Sequence, residues 1–309
     1  MANFNGVRPK VLLLGCTGEV GSRLTMLLIS SGYEVIGIHG ARECTIENPF
    51  HTCKQVDLLN PTSVLGFNEF QADTLIHTSW VTAPKVFWNS LKNNEWFEAS
   101  KKIITSFEAH GGKYLVVTGT CAEYSWDTFE PLSESHPEFA VTPYGKSKLD
   151  LLGWLRTRSI PFLWTRTFFQ FGANEPTGRL IPSLIDSLLM GEVFKVQNGD
   201  DIRDFVYIED IVEILRGLIT QRKVGVVNIG SGAGVRVEDL ARSVSQLLGQ
   251  ENLILYGEKK VPKSIVISNP KRLISLYGEY SWTPLTTALA QSIEARTRNS
   301  IGSKEHPFQ

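Results

Sequence analysis

An apolar run, Lys10-Val11-Leu12-Leu13-Leu14, breaks at Gly15-Cys16-Thr17-Gly18-Glu19-Val20-Gly21 and passes into an amphipathic stretch from Val20 to Ser31 that Gly32 ends. A second apolar run, Glu34 to Ile38, follows. Strand, glycine turn, helix and strand in so short a span make a βαβ unit, and strands this apolar throughout belong to a parallel sheet covered on both faces. Each glycine has a physical reason. Gly15 permits the tight turn, Gly18 lets backbone amides approach a pyrophosphate, and Gly21 lets the helix pack close to the strand. A strand before and a helix after turn this spacing from a glycine-rich turn into a dinucleotide-binding signal.

The alternation continues. Thr74 to His77 and Tyr114 to Thr118 read as strands, separated by a helix from Asn94 to Ala109 that stops at Gly111-Gly112. Tyr144 to Arg158 reads as a helix and Phe162 to Thr167 as a strand. Repeated βα units predict an α/β fold, a Rossmann-type doubly wound parallel sheet, over residues 1–170. Beyond it come a loop from Gly172 to Gly178, short strands, and helices over Leu180–Met190, Ile208–Thr220 and Val237–Leu248. No second strand–glycine-loop–helix recurs there. Residues 171–309 therefore read mainly as a smaller C-terminal α/β substrate-binding cap, with some segments returning to the first domain. The polar tail after Arg298 is expected to fray.

With 309 residues and a net charge of −1, the chain carries no electrostatic footprint for nucleic acid or an anionic membrane. No apolar run approaches the ~18 residues of a membrane span, and the first residues lack an apolar signal segment, so a cytoplasmic location is expected. Cys16, Cys44, Cys53 and Cys121 form no Cys-x-x-Cys pair, and no two histidines stand at metal-ligand spacing. Neither a disulfide framework nor a metal site is expected, and all four read as buried free thiols.

The end of the second strand bears on the choice of cofactor. An acid there would bond the ribose 2′-hydroxyl of NAD, but the sequence has Ile38-His39-Gly40-Ala41-Arg42. Arg42, helped by His39, suits a 2′-phosphate and favours NADP(H), with NAD(H) as the alternative. A second reading leaves Arg42 merely solvated. Asp57 and Leu58, after a third strand, are placed to meet the adenine.

Tyr144-Gly145-Lys146-Ser147-Lys148 sets a tyrosine and a lysine on one face at the start of a helix. A free tyrosine has a pKa near ~10, too high for a base at neutral pH. A neighbouring ammonium and an oxidised nicotinamide would favour the phenolate. Upstream, Thr118-Gly119-Thr120-Cys121-Ala122-Glu123-Tyr124 closes an apolar strand and offers the Thr120 hydroxyl to complete a triad.

With these pieces together, the chain resembles an extended short-chain dehydrogenase/reductase of the nucleotide-sugar epimerase, dehydratase and reductase group. The likeness covers nearly the whole chain. It rests on the glycine loop, Asp57, Ile76-His77-Thr78-Ser79, the Thr120/Tyr144/Lys148 triad, Arg203-Asp204-Phe205-Val206-Tyr207-Ile208-Glu209-Asp210 and Asn228-Ile229-Gly230-Ser231-Gly232. The resemblance implies that Tyr144 is the acid/base, that Lys148 lowers its pKa and holds the nicotinamide ribose, and that Thr120 polarises the carbonyl. It places Gly15, Thr17, Gly18, Glu19, Val20, Gly21, Thr78 and Ser79 on the cofactor, and Trp80, Cys121, Arg179, Leu180 and Arg203 with Thr120 on the substrate. Arg203 would anchor a nucleotide diphosphate, or else pair with Asp200 or Asp204. Lys259, Lys260 and Lys263 stand where relatives often place another phosphate ligand. One position departs: relatives usually carry an asparagine three residues after the arginine that ends the strand, and Arg166-Thr167-Phe168-Phe169 puts Phe169 there. A homodimer is implied by the same likeness.

Dehydratases of this group carry an acid/base pair directly after the catalytic threonine, whereas Cys121-Ala122 follows Thr120 and Glu123 comes one position too late. The absent acid after the second strand tilts the reading toward NADPH-dependent reduction of a nucleotide-linked 4-keto-6-deoxyhexose. The alternative is a nucleotide-sugar 4-epimerase with tightly held NAD. Reduction of a small non-nucleotide carbonyl and a non-catalytic NADP(H)-sensing regulator stand further off; Arg203 argues against the first and the intact Tyr144/Lys148 pair against the second.

Overall fold

Residues 8–60, 67–258 and 261–302 are described in the computed structural model of the chain. The opening apolar run is β1 (Lys10–Leu14), buried from Val11 onward, and α1 (Glu19–Ser30) follows the glycine loop. After β2 (Glu34–His39) come β3 (His51–Gln55), the short α2 (Phe67–Phe70), β4 (Thr74–His77), α3 (Lys92–Ala109) and β5 (Tyr114–Thr120). A 3-10 turn at Cys121–Glu123 leads to α4 (Pro143–Leu155), β6 (Phe162–Thr167), β7 (Phe169–Phe171) and α5 (Leu180–Leu189). The chain continues through β8 (Phe194–Lys195), β9 (Ile202–Arg203), β10 (Phe205–Tyr207), α6 (Ile208–Thr220) and β11 (Gly225–Ile229). It ends with β12 (Val235–Arg236), α7 (Val237–Leu248), β13 (Ile254–Leu255), β14 (Ile265–Val266), α8 (Lys271–Tyr277) and α9 (Leu285–Gly302).

Among the described residues the main sheet has seven parallel strands in the order β11-β6-β5-β4-β1-β2-β3, the doubly wound arrangement. The period of two along a strand splits β1 between two layers. Val11 and Leu13 join Leu24 and Leu28 of α1 and Ile211 and Leu215 of α6, while Leu12 and Leu14 face Ile104 and Phe107 of α3 and Leu151 and Leu155 of α4. A third core unites Phe171, Leu184 and Ile185 of α5, Leu240 and Val244 of α7 and Leu289 of α9. It is the interior of the smaller layer, whose strands pair in short ladders, β7 with β10, β8 with β13, and β9 between β12 and β14.

Sequence from beyond residue 170 also builds the large sheet, because β11 pairs with β6, Val227 opposite Thr165. Arg23 of α1 pairs with Glu209 at the head of α6 at 2.7 Å, an ionic tie between the two helices that share this face of the sheet. Of the tail expected to fray after Arg298, the part up to Gly302 continues α9, and the rest lies outside the described residues. Among the described residues no helix is long and apolar enough to cross a membrane. The expectation of four buried thiols fails for Cys44, half-buried, and Cys53, exposed. Both lie on the segment around β3, the edge strand, where less of the chain covers them.

Candidate active site

At the C-terminal end of β1 the glycine loop turns as its composition requires. Gly15 has φ +87°, and a Cβ there would lie 2.8 Å from Ser79 Oγ, while one at Gly21 would lie 2.0 Å from the Gly15 carbonyl oxygen. The Thr78 hydroxyl donates to the Leu14 carbonyl at 2.7 Å, which docks the end of β4 against the loop. Gly18 is the N-cap of α1 and no side chain caps that first turn. Its amides and the positive end of the helix dipole are thus left for an anion. These features fit a dinucleotide pyrophosphate.

Thr142 caps α4 by accepting from the Gly145 amide at 3.1 Å, and Pro143 opens the helix. That start puts Tyr144 in the first turn. A Cβ on Gly145 would lie 2.3 Å from the Ala122 carbonyl oxygen, so glycine is what lets α4 come down onto the turn after β5. The result sets the Thr120 side chain beside the Tyr144 phenol, whose ionised form it favours. Lys148, 2% exposed one helical turn on, donates to the Thr118 carbonyl at 2.7 Å with its Nζ 3.8 Å from the Trp80 ring centre. Burial pulls the Lys148 ammonium down to about 7, against the opposing charge of Glu123.

The electrostatics of Tyr144 differ from the sequence expectation. Burial pushes its phenol above the ordinary range, and the groups that pull it back are the Thr120 hydroxyl and the cation of Arg179. The Lys148 ammonium meets the Trp80 ring and the Thr118 carbonyl, and Arg179 is a further cation that favours the phenolate. Arg179 itself pairs with Glu175 at 3.3 Å and lies over the Phe87 ring, which meets Tyr144 edge-on at 5.0 Å between ring centres. Trp88 closes the other side of Tyr144 at 5.6 Å.

Glu123, read from sequence only as an acid out of place, is the main residue that reading missed. Its carboxylate accepts from the Thr120 amide at 2.8 Å, the Trp164 indole at 3.0 Å and Arg166 at 2.6 Å, all buried. The Thr-x-x-Glu spacing is a capping box, and the box closes here around the 3-10 turn. Arg166 bonds Glu138 on its other side at 2.5 Å. Glu175 was missed as well. Buried at the mouth of α5, it has its carboxyl pushed up to about 7 by burial, against Arg179 and with Glu19 adding to the rise.

Arg203 is tied neither to Asp200 nor to Asp204. It bonds Asp201 at 2.9 Å and both the carbonyl and hydroxyl of Ser264. Asp204 instead accepts from the Ser231, Gly232 and Ser268 amides and so fixes the loop after β11, while Asp200 pairs with Arg236 at 2.9 Å. Phe169, at the departing position, meets Trp126 and Phe205 at tilted ring angles and lies 5.3 Å beneath the Arg203 guanidinium. Cys121 is buried close to Arg203, and burial pushes its thiol up to about 12. Leu180 begins α5 directly after Arg179.

Among the adenosine-side candidates, His39 and the segment of Asp57 and Leu58 meet at the C-terminal ends of β2 and β3, where the Val56 amide donates to the His39 carbonyl at 2.8 Å. His39 Nδ1 donates to the Gly40 carbonyl at 3.0 Å, and Arg42 lies exposed beyond it. The Asp57 carboxylate accepts from the Leu59 amide at 3.0 Å, and Leu58 packs on the core. Lys263 is exposed, and Lys259 and Lys260 lie outside the described residues.

A doubly wound sheet with a glycine loop at β1 and a Thr/Tyr/Lys array at the ends of β5 and α4 defines a dinucleotide-dependent enzyme of the extended short-chain dehydrogenase/reductase class. The family described as NAD dependent epimerase/dehydratase matches residues 11–230, and the chain belongs to it. It is 25% identical to UDP-arabinose 4-epimerase 1 of Arabidopsis thaliana over 93% of this chain and 78% of that one. To the UDP-glucose 4-epimerase of Bacillus subtilis it is 24% identical, over 81% and 85% of the two chains. Among solved structures, MoeE5 in complex with UDP-glucose and NAD superposes with a TM-score of 0.79 at 24% identity, over 94% of this chain and 99% of that one.

Proposed function

We propose that the chain is a nucleotide-sugar 4-epimerase that works with NAD and a UDP-linked sugar. One observation carries the reading. Thr120 and Tyr144 form a proton-handling pair, and among the described residues the acids beside it are engaged, Glu123 by Arg166 and Trp164 and Glu175 by Arg179. Such a site takes a proton from a hydroxyl and gives it back, but has no acid to expel water, which separates it from a dehydratase. Similarity to two 4-epimerases, and to a fold solved with UDP-glucose and NAD, supports the substrate and the cofactor.

In this reading Gly15, Thr17, Gly18, Glu19, Val20 and Gly21 hold the pyrophosphate, Thr78 and Ser79 brace it, and His39, Arg42, Asp57 and Leu58 border the adenosine. Bound there, a nicotinamide dinucleotide supplies a reversible hydride acceptor. The Tyr144 phenolate takes the proton of the sugar 4-hydroxyl, while the Thr120 hydroxyl holds the same oxygen. Arg179 favours the phenolate against the burial that favours the phenol. When the 4-keto sugar presents its other face, Tyr144 returns the proton. Arg203, Trp80, Cys121 and Leu180 bound the sugar nucleotide, with residues 171–309 supplying most of the cap.

The 4-keto reduction read from the sequence rests on one feature that the structure retains, Arg42 exposed past β2 with no acid in the place of a 2′-hydroxyl ligand. The two readings part in one experiment. The purified protein, with no cofactor added, is incubated with UDP-glucose and with UDP-arabinose, and the products are resolved by chromatography. The 4-epimers should form, a Tyr144→Phe variant should be slower by ~10²–10⁴-fold, and NAD should be released on denaturation. Failure to form either epimer, with NADPH consumed one-for-one by a 4-keto sugar nucleotide, would return the reading to reductase.

A further inference from the structure

Cys16, Cys44 and His51 are scattered in sequence, yet their ligating atoms lie within 4.8 Å of one another. Cys16 belongs to the glycine loop, Cys44 to the segment between β2 and β3, and His51 opens β3. Cys53, two residues further along β3, shares a face with His51.

The imidazole is set as a ligand. His51 Nδ1 donates to the Ile46 carbonyl at 3.2 Å, which fixes the tautomer and leaves Nε2 with its lone pair bare. His51 is only 8% exposed, and Nε2 is buried without a hydrogen-bond partner. A buried polar atom left unpaired is rare and calls for a reason. A ring anchored through one nitrogen to a carbonyl, with the other turned toward thiols, is the usual posture of a metal-binding histidine.

The sheet makes room at the same point. Gly37 sits in the middle of β2, where glycine weakens a strand unless something approaches closely. A Cβ there would lie 2.6 Å from Cys16 Sγ and 2.9 Å from His51 Nε2. The strand gives up its side chain where sulfur and nitrogen meet.

We infer that Cys16, Cys44 and His51 Nε2 form a binding site for a zinc-type divalent metal ion. Two thiolates and one imidazole are a zinc-type donor set with a fourth position open, and their softness selects against magnesium and calcium. Zinc–ligand lengths of about 2.0–2.3 Å require the donors to draw together by about an ångström, which the exposed β2–β3 segment can supply. Each ligating thiol releases its proton to solvent, and no electron is transferred. The ion pins the glycine loop to the segment that carries Arg42, and so braces the adenosine end of the dinucleotide site.

The test is metal binding by the full chain, read without substrate or turnover. Protein purified without chelator is analysed for zinc by mass spectrometry, then stripped and titrated with Co²⁺ as the probe. The expected result is one zinc per chain. Cobalt should give a saturating signal with the visible bands of a tetrahedral site and a thiolate charge-transfer band. Cys44→Ala and His51→Gln, both confirmed as folded by circular dichroism, should lose the charge-transfer band or weaken cobalt binding at least tenfold. Absence of stoichiometric metal and of cobalt bands in the wild type would overturn the inference, as would unchanged bands in both variants. A native mass lower by two hydrogens, showing that Cys44 is joined to a neighbour in a disulfide, would overturn it too.

Discussion

The Lys148 ammonium is held between a ring and a carbonyl, its Nζ 3.8 Å from the centre of Trp80 and 2.7 Å from the Thr118 oxygen. Trp80 is fixed in turn, its indole N–H donating to Asn93 at 2.9 Å and its ring stacked on Trp96. Ring and carbonyl both favour the charged form of a lysine that burial alone would neutralise.

Trp80→Leu should therefore lower turnover more than substrate affinity. A desolvated cation–π contact is worth ~1–2 kcal/mol, so a fall in kcat of about tenfold with KM little changed is expected from steady-state kinetics. A rise in KM with kcat intact would move Trp80 from positioning Lys148 to binding sugar.

Arg179 is a cation acting on Tyr144. Removing it in Arg179→Gln should raise the phenol's pKa, so the limb of the pH–rate profile on which activity rises with pH should move to higher pH. Activity at neutral pH should drop and part of it return in alkaline buffer. A profile that merely scales down would assign Arg179 to substrate contact alone.

The Glu123–Arg166 pair has both side chains fully buried. Glu123→Ala strands a buried guanidinium and leaves the Thr120 amide and Trp164 indole unpaired, so it should cost about 3–5 kcal/mol in urea unfolding. The double variant Glu123→Leu/Arg166→Met should recover much of that loss, because a buried pair barely outperforms apolar side chains of similar volume. A double variant as unstable as the single one would contradict this account.

Glu175 titrates at about 7 in the fold against an ordinary value of 4.5. Between those values the folded chain holds more protons than the unfolded one, so stability falls as pH rises from 4.5 to 7 and then levels off. The loss is at most ~3 kcal/mol. Glu175→Gln should raise Tm at pH 8 and leave it nearly unchanged at pH 4.5. An equal shift at both values would mean that ionisation of Glu175 is not the source.

The residues that local pattern governs were legible in the sequence. The glycine loop, Tyr144 and Lys148 in one turn of α4, and the limits of α6 and α7 follow from spacing and caps within a dozen residues. The two-residue strands β8, β9, β12, β13 and β14 were not, because so short a run takes its conformation from the partner it meets. Glu123 carried a readable signal, the Thr-x-x-Glu box, but its burial against Arg166 is a product of β5 and β6 lying side by side. The partner of Arg203 was likewise hidden, since neighbouring aspartates differ only in which way the chain turns. The meeting of Cys16, Cys44 and His51 depends on the order in which β1, β2 and β3 pair, and no spacing encodes it.

The pairing of β11 with β6 has a topological consequence. A polypeptide ending near residue 170 would contain the glycine loop, Thr120, Tyr144 and Lys148, yet would present β6 as a bare edge with its row of amides and carbonyls open to another chain. Unpaired edges of that kind recruit strands from neighbouring molecules. The nucleotide-binding half is thus not a separable cassette: its last strand is supplied only after the chain has passed through β7 to β10, α5 and α6, so the catalytic half is sealed by sequence from beyond the first part of the cap.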